Sequence, residues 1–310
     1  MSQQPRCLII GANGFIGSYL VDSLAANGYI VRAMDIFSSP PRFIKKDNIE
    51  IFKADLFDKH QISEALKDVD YFFHSFSATT PFSSEDDPYT DVESNLKHNV
   101  FIFEECVRAK VKKIIFISSG GAIYGHIAEE KTSTEDDVPT PISPYGICKL
   151  ASENYLAYFN QKYGLDYIIY RLTNPYGPRQ RVRKNQGVIP NFLDKISNNQ
   201  PIMVYGDGES SRDYIFISDV ANMIEKTFIK KTKHRIYNLG SGEQTTVNEI
   251  IKTLGSIKHQ NLKAQYLLAP TTFMKQTKVS ISRFNEEFNL KATTSLHQGL
   301  TKLLNHDNSN

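Results

Sequence analysis

The sequence predicts an α/β protein, a doubly wound parallel sheet followed by a smaller C-terminal lobe. Three features carry that prediction. Short apolar runs alternate with amphipathic stretches through the first half of the chain. A Gly-rich turn joins the first apolar run to the first helical stretch. After about residue 175 the rhythm loosens, Pro, Gly and Asn become frequent, and the elements shorten.

Each element follows from its own pattern. Cys7-Leu-Ile-Ile10 reads as a buried parallel strand, and Gly14 to Asn27 as a helix closed by Gly28. Ile30–Met34 and Glu50–Lys53 are the second and third strands, with a helix over Lys59–Lys67 after them. Tyr71–His74 is the fourth strand. Asn95–Lys110 is a long helix whose apolar face holds Val100, Ile102, Phe103, Cys106 and Val107. Lys113–Ile117, a helix over Pro144–Tyr163, and Tyr167–Tyr170 complete the alternation, which implies right-handed crossovers and helices on both faces of the sheet. Further on, helices are expected at Ile189–Ser197, Asp219–Phe228 and Thr246–Leu254. The tract 258–285 has weak periodicity, and the polar tail His306–Asn310 is expected to fray.

Composition narrows the class. A chain of 310 residues, 40% hydrophobic and 23% charged, is long enough to bury a sizeable core. The net charge is +2 and the one short cluster, Lys230, Lys231 and Lys233, suits a solvated helix end, so neither nucleic acid nor a membrane is an expected partner. Cys7, Cys106 and Cys148 are odd in number and irregularly spaced, which argues against a disulfide framework or a metal site; each reads as a small buried hydrophobe. With neither a secretory apolar segment nor a membrane-spanning run, the expected compartment is the cytoplasm.

The chemistry begins at Gly11-Ala-Asn-Gly14-Phe15-Ile16-Gly17, directly after the first strand. Glycines there permit a tight turn, close approach to a pyrophosphate and close helix–sheet packing, while the helix N-terminus offers free N–H groups. This is a dinucleotide-binding (Rossmann) fingerprint in its proper context. Asp35 ends the second strand, where a carboxylate accepts from ribose hydroxyls and repels a 2′-phosphate, so NAD(H) is favoured. Arg32 and Arg42 are close enough to weaken that preference, which leaves NADP(H) open. Asp55-Leu56, after the third strand, would sit beside the adenine; the alternative for Asp55 is a helix N-cap. On this reading residues 1–175 form the dinucleotide-binding domain. Residues 176–310 form a substrate-binding lobe from which segments return to the sheet.

Tyr145-Gly-Ile-Cys-Lys149 sets a phenol and an ammonium on one helix face. A nearby lysine cation favours the phenolate, and such a tyrosine can exchange a proton with a sugar hydroxyl while hydride moves to or from a nicotinamide.

Taken together, Gly11–Gly17, Asp35, Asp55-Leu56, Ser118-Ser119-Gly-Gly-Ala-Ile-Tyr124-Gly125, Tyr145/Lys149, Arg171-Leu-Thr-Asn174-Pro-Tyr176-Gly177-Pro178, Arg212-Asp213-Tyr214 and Asp219-Val220 resemble the extended short-chain dehydrogenases, specifically the nucleotide-sugar epimerase, dehydratase and reductase group. The resemblance covers residues 7 to about 220. It implies a nucleotide-diphosphate sugar as substrate, with Tyr145 as proton donor or acceptor and Lys149 on the nicotinamide ribose. It also implies Asn174 near the sugar diphosphate and Arg212 paired with a diphosphate oxygen, for which the alternative is a surface ion pair with a neighbour such as Asp213. Relatives often dimerise through helices like Asn95–Lys110 and Pro144–Tyr163, so a homodimer is expected.

Two positions depart from the group. Counting back from Tyr124-Gly125, the usual catalytic Ser or Thr position holds Gly120. Ser119 is the expected substitute, although adjacent side chains on a strand face opposite ways. Near 270–280, where many relatives carry an arginine followed by aspartates, Lys275 would replace the missing phosphate contact only loosely. A dehydratase is disfavoured because Gly121 and Ala122 stand where it needs an acid and a base, and the intact Tyr145/Lys149 pair disfavours a non-enzymatic dinucleotide sensor. The missing hydroxyl at Gly120 and the short chain tilt the expectation to a reductase of a nucleotide-linked 4-keto-6-deoxyhexose, serving surface polysaccharide synthesis. The alternative is a UDP-glucose-type 4-epimerase with tightly bound NAD.

Overall fold

In the first strand Cys7 and Ile9 join one apolar cluster and Leu8 and Ile10 another, and all four are fully buried. A strand apolar on both faces belongs inside a parallel sheet covered on both sides. The computed structural model, which describes residues 4–126, 131–182, 187–269 and 276–307, has that sheet. In chain order it contains β1 (Arg6–Ile10), α1 (Phe15–Ala26), β2 (Ile30–Asp35), β3 (Ile49–Lys53), α2 (Lys59–Ala65) and β4 (Tyr71–His74). Two short helices, α3 (Ser83–Asp86) and α4 (Pro88–Thr90), lead into a π-helical segment, Asp91–Lys97, and α5 (His98–Arg108). Then come β5 (Lys113–Ser119), α6 (Pro144–Tyr163), β6 (Asp166–Leu172), β7 (Asn174–Tyr176), α7 (Val188–Ser197), β8 (Ile202–Tyr205) and β9 (Ser211–Phe216). The rest is α8 (Ile217–Glu225), β10 (Ile236–Leu239), β11 (Gln244–Thr246), α9 (Val247–Lys258), β12 (Ala264–Leu267), β13 (Gln276–Thr277), α10 (Ser282–Phe288) and α11 (Leu296–Asp307).

Seven strands form one sheet in the order β10-β6-β5-β4-β1-β2-β3, every neighbouring pair parallel. The order reverses between β1 and β4, where a crevice opens at the carboxyl ends of the strands. On one face Cys7, Ile9, Phe73 and Ile115 pack against Leu20 and Leu24 of α1, Val220 and Ile224 of α8, and Phe284 of α10. On the other, Leu8, Ile10, Phe72 and Ile114 meet Ile62 of α2, Ile102 and Phe103 of α5, and Leu156 and Phe159 of α6. A third core holds the smaller C-terminal lobe, built from Ile189, Phe192, Ile202, Val247, Ile250 and Leu300. Strand β10 and helices α8 and α10 come from the chain after residue 176 yet cover or extend the large sheet.

The structure changes several expected elements. The helix expected from Asn95 is π-helical up to Lys97, because Asp91 and Asn95 turn inward to bond Thr79. The helix expected over Asp219–Phe228 runs Ile217–Glu225, and Phe228 lies beyond it, packed edge-on against Tyr29, Tyr71 and Phe73. Thr246 and Glu249 make a reciprocal capping box, and α9 continues to Lys258. The weakly periodic tract holds β12, β13 and α10, whose order comes from tertiary contacts such as Phe284 and Phe288 in the sheet core. The expected frayed tail begins inside α11, at His306. All three cysteines are buried and free.

Candidate active site

A cavity of about 610 Å³ opens at the strand-order reversal. Gly11, with φ +70, makes the tight turn after β1; a Cβ there would lie 3.1 Å from the Phe76 backbone. A Cβ on Gly14 would come within 2.9 Å of the Gly11 carbonyl and one on Gly17 within 2.1 Å, so the helix could not start so close to the turn. Gly17 therefore acts beneath the cavity, whereas Gly11, Gly14, Phe15 and Ile16 line it. Helix α1 begins with no side-chain cap and no acidic residue in its first turn, which leaves its N–H groups for an anion.

Asp35 lines the same wall and accepts the Asn13 N–H at 2.9 Å. Sequence reasoning passed over Asn13. Its amide donates to the Ser39 and Pro40 carbonyls, and its oxygen accepts the Arg42 N–H at 2.8 Å, which clamps the loop after β2 against the glycine turn. Arg32 is withdrawn from the site: it pairs with Glu50 at 3.0 Å and donates to the carbonyls of Ala65 and Lys67. Arg42 does line the cavity, with one guanidinium N–H on the Arg179 carbonyl. Asp55 and Leu56 are not among the lining residues. The Asp55 carboxylate accepts the Phe57 N–H within its own turn, Leu56 is buried in the core, and the cap of α2 is Asp58.

Helix α6 brings in the phenol and ammonium. Ser143 caps it, Pro144 occupies its first turn, and Gly146 lets it lie against the Ala122 carbonyl, which a Cβ would approach to 2.6 Å. Tyr145 and Lys149 both face the cavity. Lys149 Nζ donates to the Ile117 carbonyl at 3.0 Å and lies 5.7 Å from the centre of the Tyr145 ring. Burial pulls the ammonium down to about 8, against the pull of Glu153 and Asp91. The phenol is not lowered, as the lysine spacing suggested. Burial and the Asp91 charge raise it to about 12, and the neighbouring Ser119 hydroxyl opposes them.

The strand end settles which serine meets the tyrosine. Ser118 donates its hydroxyl proton to Glu153 at 2.6 Å, while Ser119 lines the cavity with Tyr145 and its oxygen accepts the Ala122 N–H at 3.2 Å. Gly120 donates its N–H to the Leu172 carbonyl, and a Cβ there would point at the Arg171 carbonyl 3.0 Å away. Position 120 thus faces β6, while Ser119, one residue earlier, lines the cavity.

Asn174 and Arg212 line the far side. Asn174 donates to the Asp213 carbonyl, and Arg212 to the Ser211 carbonyl. The Asp213 carboxylate lies on the other face of β9, accepting from the Ser241 N–H and hydroxyl and the Gly242 N–H. Burial lowers the Arg212 pKa. Lys275 lies outside the described residues. Thr79, Thr80 and Gln180 also line the cavity; they carry no motif spacing and were missed, while Tyr214, which lines it too, was quoted with Arg212 but given no role.

Comparison with known proteins bears on this arrangement. The NAD dependent epimerase/dehydratase family matches residues 7–240. A putative UDP-glucose 4-epimerase of Methanocaldococcus jannaschii is 34% identical over 82% of this chain and 81% of its own. A dTDP-4-dehydro-6-deoxyglucose reductase of Escherichia coli is 30% identical over 96% of both chains. A UDP-glucose 4-epimerase of Thermotoga maritima, solved with UDP-glucose, superposes with a TM-score of 0.91 at 31% identity, covering 98% of this chain and 99% of that one.

Proposed function

This chain belongs to the NAD-dependent epimerase/dehydratase family, and from that premise we propose that it is a 4-epimerase of a uridine-diphosphate hexose, with NAD as cofactor. The observation that carries the reading is that the Ser119 hydroxyl lines the cavity wall together with Tyr145 and Lys149. An epimerase must first take a proton from the sugar's C4 hydroxyl, and these residues offer a route for it. The case for a reductase leaned on the absence of such a hydroxyl at Gly120.

The residues fit NAD. The glycine cradle is closed to any Cβ at Gly14 and Gly17, the start of α1 is open to a pyrophosphate, and Asp35 stands where ribose hydroxyls would donate. Gly11, Gly14, Phe15, Ile16 and Asp35 would hold the cofactor, with Lys149 at its nicotinamide ribose. When bound in oxidised form, NAD supplies a hydride acceptor and a positive charge. With the positive charges of the bound cofactor and of Lys149 beside it to favour the phenolate, Tyr145 would accept the proton of the C4 hydroxyl, directly or through Ser119, and later return it to the same oxygen. Lys149, while charged, steadies the phenolate. Arg212 and Asn174 would face the diphosphate, where a guanidinium is the apt partner.

A second reading, reduction of a dTDP-4-keto-6-deoxyhexose, draws on the Escherichia coli relative. The two differ in how they use hydride. Purified protein given UDP-glucose should form UDP-galactose with no net change in the reduced-nicotinamide absorbance band. Stoichiometric NADH oxidation with the keto sugar, without hexose interconversion, would establish the reductase instead.

A further inference from the structure

Asp91 is fully buried, and one of its carboxylate oxygens has no hydrogen-bond partner among the described residues. Leaving a charged oxygen so is costly, and the surroundings retain it. Its other oxygen accepts the Thr79 hydroxyl at 2.6 Å and the Asn95 amide at 2.7 Å. The same Asn95 amide donates to the Thr79 oxygen at 2.9 Å, and the Asn95 carbonyl oxygen accepts the Ala78 N–H. The π-helical segment Asp91–Lys97 carries both side chains, a geometry frequent at functional sites. Thr79 lines the cavity shared by Tyr145 and Ser119.

A hydroxyl has one proton and two lone pairs. In Thr79 the proton is committed to Asp91 and one lone pair to Asn95. Toward the cavity it can only accept. We propose that Thr79, held in this state by Asp91, is a specificity determinant that accepts a hydrogen bond from a sugar hydroxyl. The cavity therefore selects a neutral hexose that offers a donor at that point, over one that presents a carbonyl or carboxylate oxygen there. Asp91 is the positioning residue. Its charge reaches Tyr145, Cys148 and Lys149, which agrees with a place beside the reacting end of the cavity.

The proposal rests on reading the cavity as a nucleotide-sugar site. Calorimetry on the NAD-loaded protein with UDP-glucose, and with analogues carrying fluorine in place of the C2, C3 or C6 hydroxyl, tests both. Fluorine keeps the size and removes the donor. One analogue should bind about tenfold or more weakly than UDP-glucose. Thr79→Val should abolish that ratio, Thr79→Ser should preserve it, and Asp91→Asn should lower it, since an amide can donate to Thr79 and fill its free lone pair. Equal binding of all analogues to the wild type, or an unchanged ratio in a folded Thr79→Val protein, overturns the proposal and leaves the epimerase reading standing. Failure of the wild type to bind UDP-glucose at all removes both.

Discussion

At the scale of single residues, the site depends on oxygen atoms whose direction is fixed by neighbours. Tyr145 shares the cavity wall with Ser119, and its phenol stands near 12 before any cofactor charge is added. Tyr145→Phe keeps the ring and removes the proton carrier, so turnover should fall by about 100-fold or more while UDP binding stays close to wild type. Near-normal turnover in the folded variant would show that the proton travels by another route. Asp35 makes a second prediction. Arg32 is tied to Glu50 and to helix carbonyls, so Asp35 dominates that wall apart from Arg42. NAD(H) should bind more tightly than NADP(H) in direct titrations, and Asp35→Ala should narrow the gap. A wild-type preference for NADPH would contradict this and point to Arg42.

At the scale of elements, α6 is held to the sheet by a buried pair. Arg171 of β6 and Glu153 of α6 are 3% and 2% exposed at the side chain, 2.7 Å apart, and Ser118 donates to the same carboxylate. Arg171 also donates to the Tyr124 hydroxyl, which donates to Asn238 of β10. One network thus joins α6, β5, β6 and β10 one turn away from Lys149. A buried pair is weak as a source of net stability, but removing one partner strands the other charge. Glu153→Ala should cost about 3–5 kcal/mol in denaturant unfolding with an unchanged m-value, and replacing both residues by Met should cost less. A loss below about 1 kcal/mol would mean that water reaches Arg171.

At the scale of the molecule, the sheet interior contains a titratable group that links folding to pH. His74 ends β4 among Phe103 and Phe116, its Nε2 on the Asn99 amide oxygen. Burial above all, then the Lys149 charge, hold its pKa at about 3. Below pH about 6.5 the unfolded chain takes up a proton that the folded chain refuses. The stability is complete above that value and is lost as pH falls toward 3. From pH 7 to pH 5 the loss should be about 2 kcal/mol. Urea unfolding at both values, on wild type and His74→Gln, measures it; an equal loss in the variant would assign the effect elsewhere.

The sequence alone determined the parallel sheet, the glycine turn and the Tyr145/Lys149 face, because each is a local pattern whose period or spacing is set by backbone geometry. Pro144–Tyr163 was legible to its ends, since Ser143 and Pro144 start it and Gly164 stops it in a left-handed cap. The tertiary structure alone decided what depends on a partner distant in the chain. Ser119 rather than position 120 lines the cavity with Tyr145 because Gly120 is pressed against β6. Asp213 leaves Arg212 because the turn at Ser241 and Gly242 offers it three donors. Arg32 is lost to Glu50 for the same kind of reason, whereas Asp55 makes only a local contact with the Phe57 N–H. The pairing of Asp91 with Thr79 had no motif to announce it, because a buried polar side chain takes its direction from whichever donors and acceptors the fold brings within reach.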